Sequence, residues 1–101
     1  MDFDGFNWDA GNCDKCQEHG VSIAEIEDIF SRDISVGPDV RHSAQEERFK
    51  AIGSTRQGRK VFVAFTLRTQ GGDILVRPIS ARYMHAKEIG YYEETAAKPE
   101  N

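Results

Sequence analysis

The spacing of hydrophobic and polar residues in this chain changes near residue 48. Before that point, one set of apolar residues recurs with the helical period, at Ile23, Ile26, Ile29 and Phe30. After it, three runs have the alternation that is typical of β-strands, at residues 48–54, 60–68 and 73–80. The pattern therefore predicts helices in the first half of the chain and a sheet in the second.

Two helices are predicted before the strands. Asp9 is a suitable N-cap for a helix over about residues 10–19, and Gly20 tolerates the positive φ of a helix C-terminus. Ser22 and Glu25 have the spacing of a capping box, which begins a second helix at the apolar stripe. The apolar residues Ile23, Ile26, Ile29 and Phe30 lie on one face of this second helix, which we expect to be buried.

The three alternating runs predict an antiparallel meander, because the short turn sequences RQG and QGG separate them. Both faces of the middle run are largely apolar, as expected of a central strand. Pro78 has no backbone donor, which places the third run at a sheet edge or beside a bulge. Residues 3–8 are predicted to form a further short strand, and residues around 34–36 a short extended segment.

The remaining residues predict an exposed loop and a closing helix. Gly37, Pro38 and Asp39 end any long element, and the exposed loop follows them. The closing helix covers about residues 82–96, with one apolar face made by Met84, Ile89 and Tyr92. The predicted fold class is α+β, with a small, mostly antiparallel sheet, two N-terminal helices and a C-terminal helix. We expect one domain over residues 1–96 and a frayed tail over residues 97–101.

The charge of the chain is unevenly distributed. A formal net charge of −4 at first argues against a nucleic-acid partner, because phosphate contacts need Lys and Arg. Acids, however, dominate residues 1–40, whereas bases dominate residues 41–91. One face of the folded chain can then attract an anion while another meets a basic partner. The alternative interpretation is a solvated surface on which the segregation has no function.

The chain has no segment that resembles a membrane span or a signal peptide. Its longest apolar run, VFVAF, is far shorter than the roughly 20 residues that cross a bilayer. The acidic start MDFDGF lacks the basic flank of a signal peptide. We therefore expect a cytoplasmic protein without membrane contact.

The motif CDKC is the first candidate for site chemistry. Cys13, Cys16 and His19 recur every three residues along a helix, which makes a metal site conceivable. A closed zinc site needs four ligands, however, and the chain has no second cysteine pair. Asp14 and Glu18 also surround the sulfurs with negative charge, which opposes a reactive thiolate. We expect packing thiols, no bound metal and no cofactor.

The arginines near the strand ends are the second candidate. Arg48 opens the first meander strand, while Arg77 and Arg82 flank the end of the third, so an antiparallel layout can bring them together. A guanidinium binds phosphate oxygens bidentately and stays charged at any working pH. Titratable groups that can move a proton accompany them: Glu47, His19 and His42. The chain has no Gly-rich phosphate loop between a strand and a helix, which disfavours nucleotide hydrolysis.

Four segments carry a resemblance to a known family. They are FNWDAGNCDKCQEHGVSIAEIEDIF, HSAQEERFKAIG, GRKVFVAFTLR and RPISARYMHAKEIGYYEE. In this order, and over nearly the whole chain, they resemble the BrnT family of bacterial toxins. The resemblance implies a RelE-like fold and an endoribonuclease that cuts RNA without a metal and halts growth. It also implies a BrnA-type ribbon-helix-helix antitoxin, with operator DNA bound only through the antitoxin complex.

The resemblance also indicates which residues form the site. It places the catalytic groups at Lys15, His19, Glu47, Arg48 and Arg82. Apart from the resemblance, the residues that we expect to bind RNA are His42, Arg59, Arg68, Arg77 and Tyr83. Tyr91 and Tyr92 are further candidates for stacking on unpaired bases.

This chain departs from the family pattern at two positions beside the predicted site. Glu18 precedes His19 where relatives usually have a base, and Cys13 stands where Arg is frequent. Both differences remove positive charge, so we expect weaker attraction of RNA and reduced activity. A second function remains open, namely a module of the same fold that binds nucleic acid or protein without cutting.

Overall fold

Five strands form one mixed sheet in the computed structural model, which describes residues 2–90. They are β1 (Gly5–Phe6), β2 (Ser35–Pro38), β3 (Phe49–Ser54), β4 (Lys60–Gln70) and β5 (Asp73–Tyr83). Their order across the sheet is β1-β5-β4-β3-β2. Among the described pairs, β1 and β5 run parallel and the other neighbours are antiparallel. The predicted α+β class is therefore confirmed, with β4 as the central strand.

Two helices precede β2, as the hydrophobic pattern predicts. Helix α1 (Ala10–Gln17) begins at Asp9, whose side chain accepts a hydrogen bond from the Asn12 backbone at 3.1 Å. The Asn12 side-chain oxygen accepts a hydrogen bond from the Asp9 backbone N–H at 2.7 Å, which completes a capping box. Helix α2 (Ile23–Phe30) has the predicted capping box between Ser22 and Glu25. Helix α1 ends two residues before its predicted end, and the chain then turns at Gly20, where φ is +89°.

The helices cover one face of the sheet and form the core with it. Directly paired residues on this face are apolar: Ala51, Val63 and Ala81 form one buried row, and the half-buried Phe49 packs on the buried Phe65. Helix α2 lies so close to β3 that a Cβ on Gly53 would stand 2.9 Å from the Ile29 Cβ. We call this side of the sheet the helix-covered face.

The opposite side, which α1 and α2 do not cover, is called the open face here. Side chains alternate between the two sides of a strand, so the neighbours of the core residues point to the open face. Its paired rows are Ile52–Phe62–Arg82, Lys50–Ala64–Ser80 and Thr66–Arg77. The bases of β3 and β5 therefore lie on the side of the sheet away from the core.

Strand β5 corrects the predicted boundary of the closing helix. The strand continues to Tyr83, because its ladder with β4 extends to Val61 and the Met84 N–H donates to the Lys60 carbonyl at 2.9 Å. Residues 86–90 are helical. The prediction of a helix that begins at residue 82 is wrong, so Arg82 and Tyr83 lie on a strand. Tyr91, Tyr92 and the tail 97–101 lie outside the described residues.

Pro78 in β5 and Pro38 in β2 both lie where a strand tolerates the loss of a backbone N–H, but not every predicted detail about them is confirmed. The ladder between β4 and β5 shifts register between Ala64 and Phe65, next to Pro78, which confirms the predicted bulge. Strand β5 is not at the edge, because β1 lies outside it. β1 ends before it reaches Pro78, so the missing N–H breaks no strand pairing. Contrary to the prediction, β2 runs through Gly37 and Pro38, which an outer strand tolerates.

Within residues 2–90, no helix combines the length and apolar composition that crossing a membrane requires.

Candidate active site

The chain between β2 and β3 folds onto one end of the open face. The Thr66 hydroxyl donates to the Glu47 carbonyl at 2.8 Å, which ties the loop to β4. The Arg48 backbone N–H donates to the Ser43 hydroxyl at 3.0 Å, and the Asp39 N–H donates to the Arg48 carbonyl at 2.8 Å. These bonds fix the backbone on both sides of Arg48, although the sequence around it is a loop.

Three arginines surround one carboxylate at this end, and we call them the arginine cluster: Arg48, Arg68 and Arg77. Glu46 forms an ion pair with Arg68. The hydrogen bond from Arg68, followed by the charges of Arg68, Arg48 and Arg77, lowers the pKa of Glu46 against a smaller opposing effect of burial. The three guanidinium groups outnumber the two carboxylates that form ion pairs with them, Glu46 with Arg68 and Asp9 with Arg77, so the cluster attracts anions.

Arg77 is positioned by β1 and by the start of α1. Its guanidinium donates to the Asn7 side-chain oxygen at 2.7 Å and forms an ion pair with Asp9 at 3.0 Å. Asp9 is also the N-cap of α1, and its backbone contact to Asn12 is the largest cause of its lowered pKa. One side chain thus connects the open face to the helix N-terminus.

A pocket of about 670 Å³ opens beside Arg48. Its wall is formed by the exposed loop, including Arg41, His42 and Glu46. The His42 ring nitrogen Nδ1 lies 2.9 Å from an Asp39 carboxylate oxygen, which orients the imidazole. The pocket combines guanidinium groups that bind phosphate with an imidazole that can give or take a proton.

The other end of the open face contains a larger groove of about 910 Å³, which we call the apolar groove. Ile52, Phe62 and Met84 contribute its apolar surface. Arg82 lies against the Phe62 ring, with the guanidinium carbon 4.9 Å from the ring centroid. Lys50 and Lys87 add further positive charge to the lining.

Glu88 holds Arg82 in place at the apolar groove. The two guanidinium nitrogens donate to its two carboxylate oxygens at 2.6 and 2.9 Å. The His85 backbone N–H donates to the same carboxylate at 3.0 Å. The Arg82 contact, followed by that of His85, lowers the pKa of Glu88 to about 2. Glu88 is therefore ionised near neutral pH.

Arg48 and Arg82 share the open face but stand at opposite ends of it. Arg82 pairs across β4 with Phe62 and Ile52, and Ile52 is four residues beyond Arg48. At about 3.3 Å per residue, the two positions are roughly 13 Å apart along the strands. The structure brings Arg48 together with Arg77, whereas Arg82 lies with Glu88.

The other predicted catalytic residues divide between the two sides of the sheet. Glu47 is exposed and precedes Arg48 in the chain, but it is not among the residues that line the pocket beside Arg48. Lys15 and His19 are also exposed, but they belong to α1 and the turn after it, on the helix-covered side. The five residues therefore do not meet around one pocket. Of the two departures from the family pattern, Glu18 is the C-cap of α1, whereas the Cys13 backbone N–H donates at 3.0 Å to the carbonyl of Asp9, which pairs with Arg77.

Two residues predicted to bind RNA are engaged elsewhere. The Tyr83 hydroxyl donates to Glu25 at 2.8 Å, and the Arg59 guanidinium covers the Tyr83 ring at 3.4 Å from its centroid. The Glu25 contact is the largest cause that raises the pKa of Tyr83. Because Tyr83 follows Arg82 on β5, its side chain points to the helix-covered face.

The cysteines of CDKC pack as predicted. Cys16 is fully buried in the core, and burial raises the pKa of its thiol to about 11. Cys13 is half-buried, and neither sulfur forms a disulfide. Among residues 2–90, no group of three or more His, Cys, Asp or Glu side chains is arranged to hold a metal ion.

Several residues at these sites were not found from the sequence. They are Lys50, Phe62 and Glu88. Phe62 was missed because both faces of β4 are apolar in sequence, which hides the outward ring. The alternation of β4 could have revealed the outward position of Phe62. Phe62 lies two residues from Lys60, on the same side of the strand, whereas the buried Val61 and Val63 lie on the other side.

Comparison with known proteins identifies one family. Residues 8–88 match the model of a family described as the ribonuclease toxin BrnT of type II toxin-antitoxin systems. A search of curated proteins finds no match. The matched range includes α1 and α2, strands β2 to β5, the arginine cluster and the apolar groove.

Proposed function

Because the chain belongs to the BrnT family of ribonuclease toxins, we propose that it is a metal-independent endoribonuclease that binds RNA on its open face. Membership in a type II toxin-antitoxin family implies an RNA substrate and an antitoxin partner. The observation that carries the proposal is the arginine cluster, in which the charges of Arg48, Arg68 and Arg77, from a loop and two strands, act on Glu46 at the pocket that Arg48 lines. Such a cluster suits a backbone phosphate.

The reaction uses the substrate as its own nucleophile. An RNA 2′-hydroxyl oxygen attacks the adjacent phosphorus, and the bond from phosphorus to the 5′-oxygen breaks. The products are a 2′,3′-cyclic phosphate and a 5′-hydroxyl, so no water or metal is consumed. The proton of the 2′-hydroxyl passes to a base on the protein, and the leaving 5′-oxygen receives one from an acid.

The residues of the arginine cluster fit the charge requirements of this reaction. Arg48 and Arg77 stabilise the added negative charge on the pentavalent phosphorus, where one positioned donor contributes roughly 3–4 kcal/mol. Glu47, exposed beside Arg48, accepts the proton. Glu46 does not suit that role, because its ion pair with Arg68 lowers its pKa and makes it a weaker base.

His42 is the proposed proton donor to the leaving oxygen, since its imidazole lines the same pocket as Arg48. The resemblance instead suggested Lys15 and His19, but these side chains belong to the helix-covered side. Arg82 then binds a part of the RNA that lies farther from the cleavage site. This assignment keeps Glu47, Arg48 and Arg82 from the resemblance and replaces the remaining two with Arg77 and His42.

We further propose that a BrnA-type ribbon-helix-helix antitoxin neutralises the protein. Operator DNA is then bound only through the complex, and the free toxin inhibits growth by cleaving RNA in the cytoplasm. Support comes from the family match and from the basic open face, which gives an acidic partner a surface to cover. Co-purification of the toxin with the product of the neighbouring reading frame tests this point.

Cleavage of single-stranded RNA in EDTA tests the enzymatic proposal. The pure chain is expected to give fragments with 2′,3′-cyclic phosphate ends. Arg48→Ala should abolish cleavage while thermal unfolding stays unchanged. Arg56→Ala is the matched control, because Arg56 is exposed and contacts Asp28 of α2 at 3.4 Å. Full activity of Arg48→Ala, or fragments that require added metal, would overturn the mechanism.

A second function, RNA binding without cleavage, is favoured by one observation. Both half-buried carboxylates beside the open-face arginines, Glu46 and Glu88, have lowered pKa values because they are ion-paired. Neither is a good proton acceptor, so removal of the 2′-hydroxyl proton depends on the exposed Glu47. Intact RNA recovered from a stable complex, with wild type and Glu47→Gln binding equally, would support this second function.

A further inference from the structure

The apolar groove lies on the open face but plays no part in the proton transfers. We propose that it binds one unpaired nucleobase of single-stranded RNA, which stacks on Phe62 beside the Arg82 guanidinium. This inference rests on the proposed function, because it takes RNA as the substrate. It adds a base-binding subsite to a site that otherwise contacts only the phosphate backbone.

The chemistry of the groove suits a flat, apolar ligand that carries a negative group. Its volume of about 910 Å³ falls within the range of small-ligand sites. Ile52 and Phe62 present carbon atoms, whereas Lys50, Arg82 and Lys87 contribute positive charge. A nucleotide has the complementary character, since its base is flat and its phosphate is an anion.

Arg82 and Phe62 form a ready platform for stacking. Unpaired bases stack on aromatic rings and on the planes of arginine guanidinium groups. Here the guanidinium carbon is 4.9 Å from the Phe62 centroid, and two hydrogen bonds to Glu88 fix its orientation. The Arg82 side chain is 39% exposed, so its contacts leave part of it accessible.

The position of the groove favours RNA over a peptide as the occupant. Lys50 points to the same side of β3 as Ile52, and it lies along the chain between Ile52 and Arg48, which directly precedes the strand. Lys50 therefore lies between the groove and the arginine cluster. A row of positive charge thus leads from the proposed cleavage pocket to the groove. An RNA strand held at Arg48 by one phosphate would follow this row and bring a neighbouring base to Phe62.

Binding of uncleavable oligonucleotides tests the subsite without depending on catalysis. The probes are single-stranded 2′-O-methyl oligonucleotides of each base, and an abasic strand of equal length and charge. Fluorescence anisotropy with the full chain gives the Kd of each. Wild type should bind the best base-bearing strand roughly 5- to 10-fold more tightly than the abasic strand, the lower range of base stacking on an aromatic ring.

Variants of Phe62 show whether that preference comes from its ring. Phe62→Leu should remove the preference and leave abasic binding unchanged, whereas Phe62→Trp should keep it. Phe3→Leu is the matched control, because Phe3 is also half-buried but packs on Phe6 and Phe30 at the helix-covered face. Thermal unfolding of each variant establishes that it is folded, and the wild-type comparison of strands needs no variant.

The possible outcomes separate this inference from the proposed function. Equal binding of base-bearing and abasic strands by wild type, with RNA still cleaved, would overturn the base subsite alone. Absence of both binding and cleavage would overturn the proposed function together with the subsite. If Phe62→Leu left oligonucleotide binding unchanged but weakened antitoxin binding, the groove would be a protein interface and the inference would be wrong.

Discussion

The two faces of the sheet are built from the same strands but have opposite chemistry. On the helix-covered face, Val61, Val63 and Phe65 of β4 are buried against α1 and α2. On the open face, Phe62 and Arg68 of the same strand line a groove and an ion-paired cluster. If the proposed RNA binding is correct, residues of one strand serve stability and RNA binding separately, which substitutions on the two faces of β4 can test.

The largest effect is expected from a substitution on the helix-covered face, which should lower the stability of the fold. Phe65→Ala should lower the free energy of unfolding by about 3–5 kcal/mol, because the ring is buried between Phe30 and Phe49. Phe62→Ala, three residues away on the open face, should cost less than half as much. Urea denaturation measures both, and equal costs would show that the two faces are not distinct.

Arg77 is the residue that joins the faces, so its substitution should affect both properties. Arg77→Ala should reduce RNA cleavage by roughly 10- to 100-fold through loss of a charged donor. It should also lower the melting temperature, because Asp9 at the start of α1 loses its ion pair. Arg77→Lys keeps the charge without the fork and should give intermediate cleavage. Unchanged cleavage in both variants would remove Arg77 from the site.

Ser22→Ala is expected to change stability alone. Its hydroxyl accepts a hydrogen bond from the Glu25 N–H at 3.1 Å and caps α2. Loss of this cap should cost about 1 kcal/mol in the free energy of unfolding. RNA cleavage at a temperature where the variant is folded should match that of wild type. A selective loss of cleavage would mean that α2 contributes to the site.

Glu46→Gln should strengthen RNA binding about threefold at low salt. The substitution removes the carboxylate that pairs with Arg68 and leaves Arg68 available for a phosphate. The slope of log Kd against log salt concentration should become steeper by about one phosphate contact. Weaker binding with an unchanged slope would indicate that Glu46 serves to position Arg68 and does not compete with RNA.

The smallest effect is expected for the pH dependence of cleavage when Glu88 is replaced. The folded pKa of Glu88, about 2, lies below the ordinary value of 4.5, so its ion pair with Arg82 is complete above pH 4.5 and is lost as the pH falls toward 2. Glu88→Gln should therefore leave the shape of the cleavage profile between pH 5 and 9 unchanged. A new inflection in that range would place Glu88 in the proton transfers.

Local pattern predicted the elements well and the site less well. Helix α2 and the meander from β3 to β5 follow from periodicity, and Asp9 and Ser22 are recognisable caps. The meeting of Arg48 with Arg77 and not Arg82 depends on the register of β3, β4 and β5, which no local pattern specifies. The end of β5 was misplaced because its ladder with β4 overrides the local helical pattern.

Nuclear magnetic resonance of arginine side chains tests the central claim, that RNA binds the open face. Nε–Hε signals of the full chain are recorded during titration with an uncleavable single-stranded oligonucleotide. The signals of Arg48, Arg68, Arg77 and Arg82 should shift, whereas those of Arg32 and Arg56, which contact Asp28 of α2, should not. Shifts confined to Arg32 and Arg56 would contradict the account.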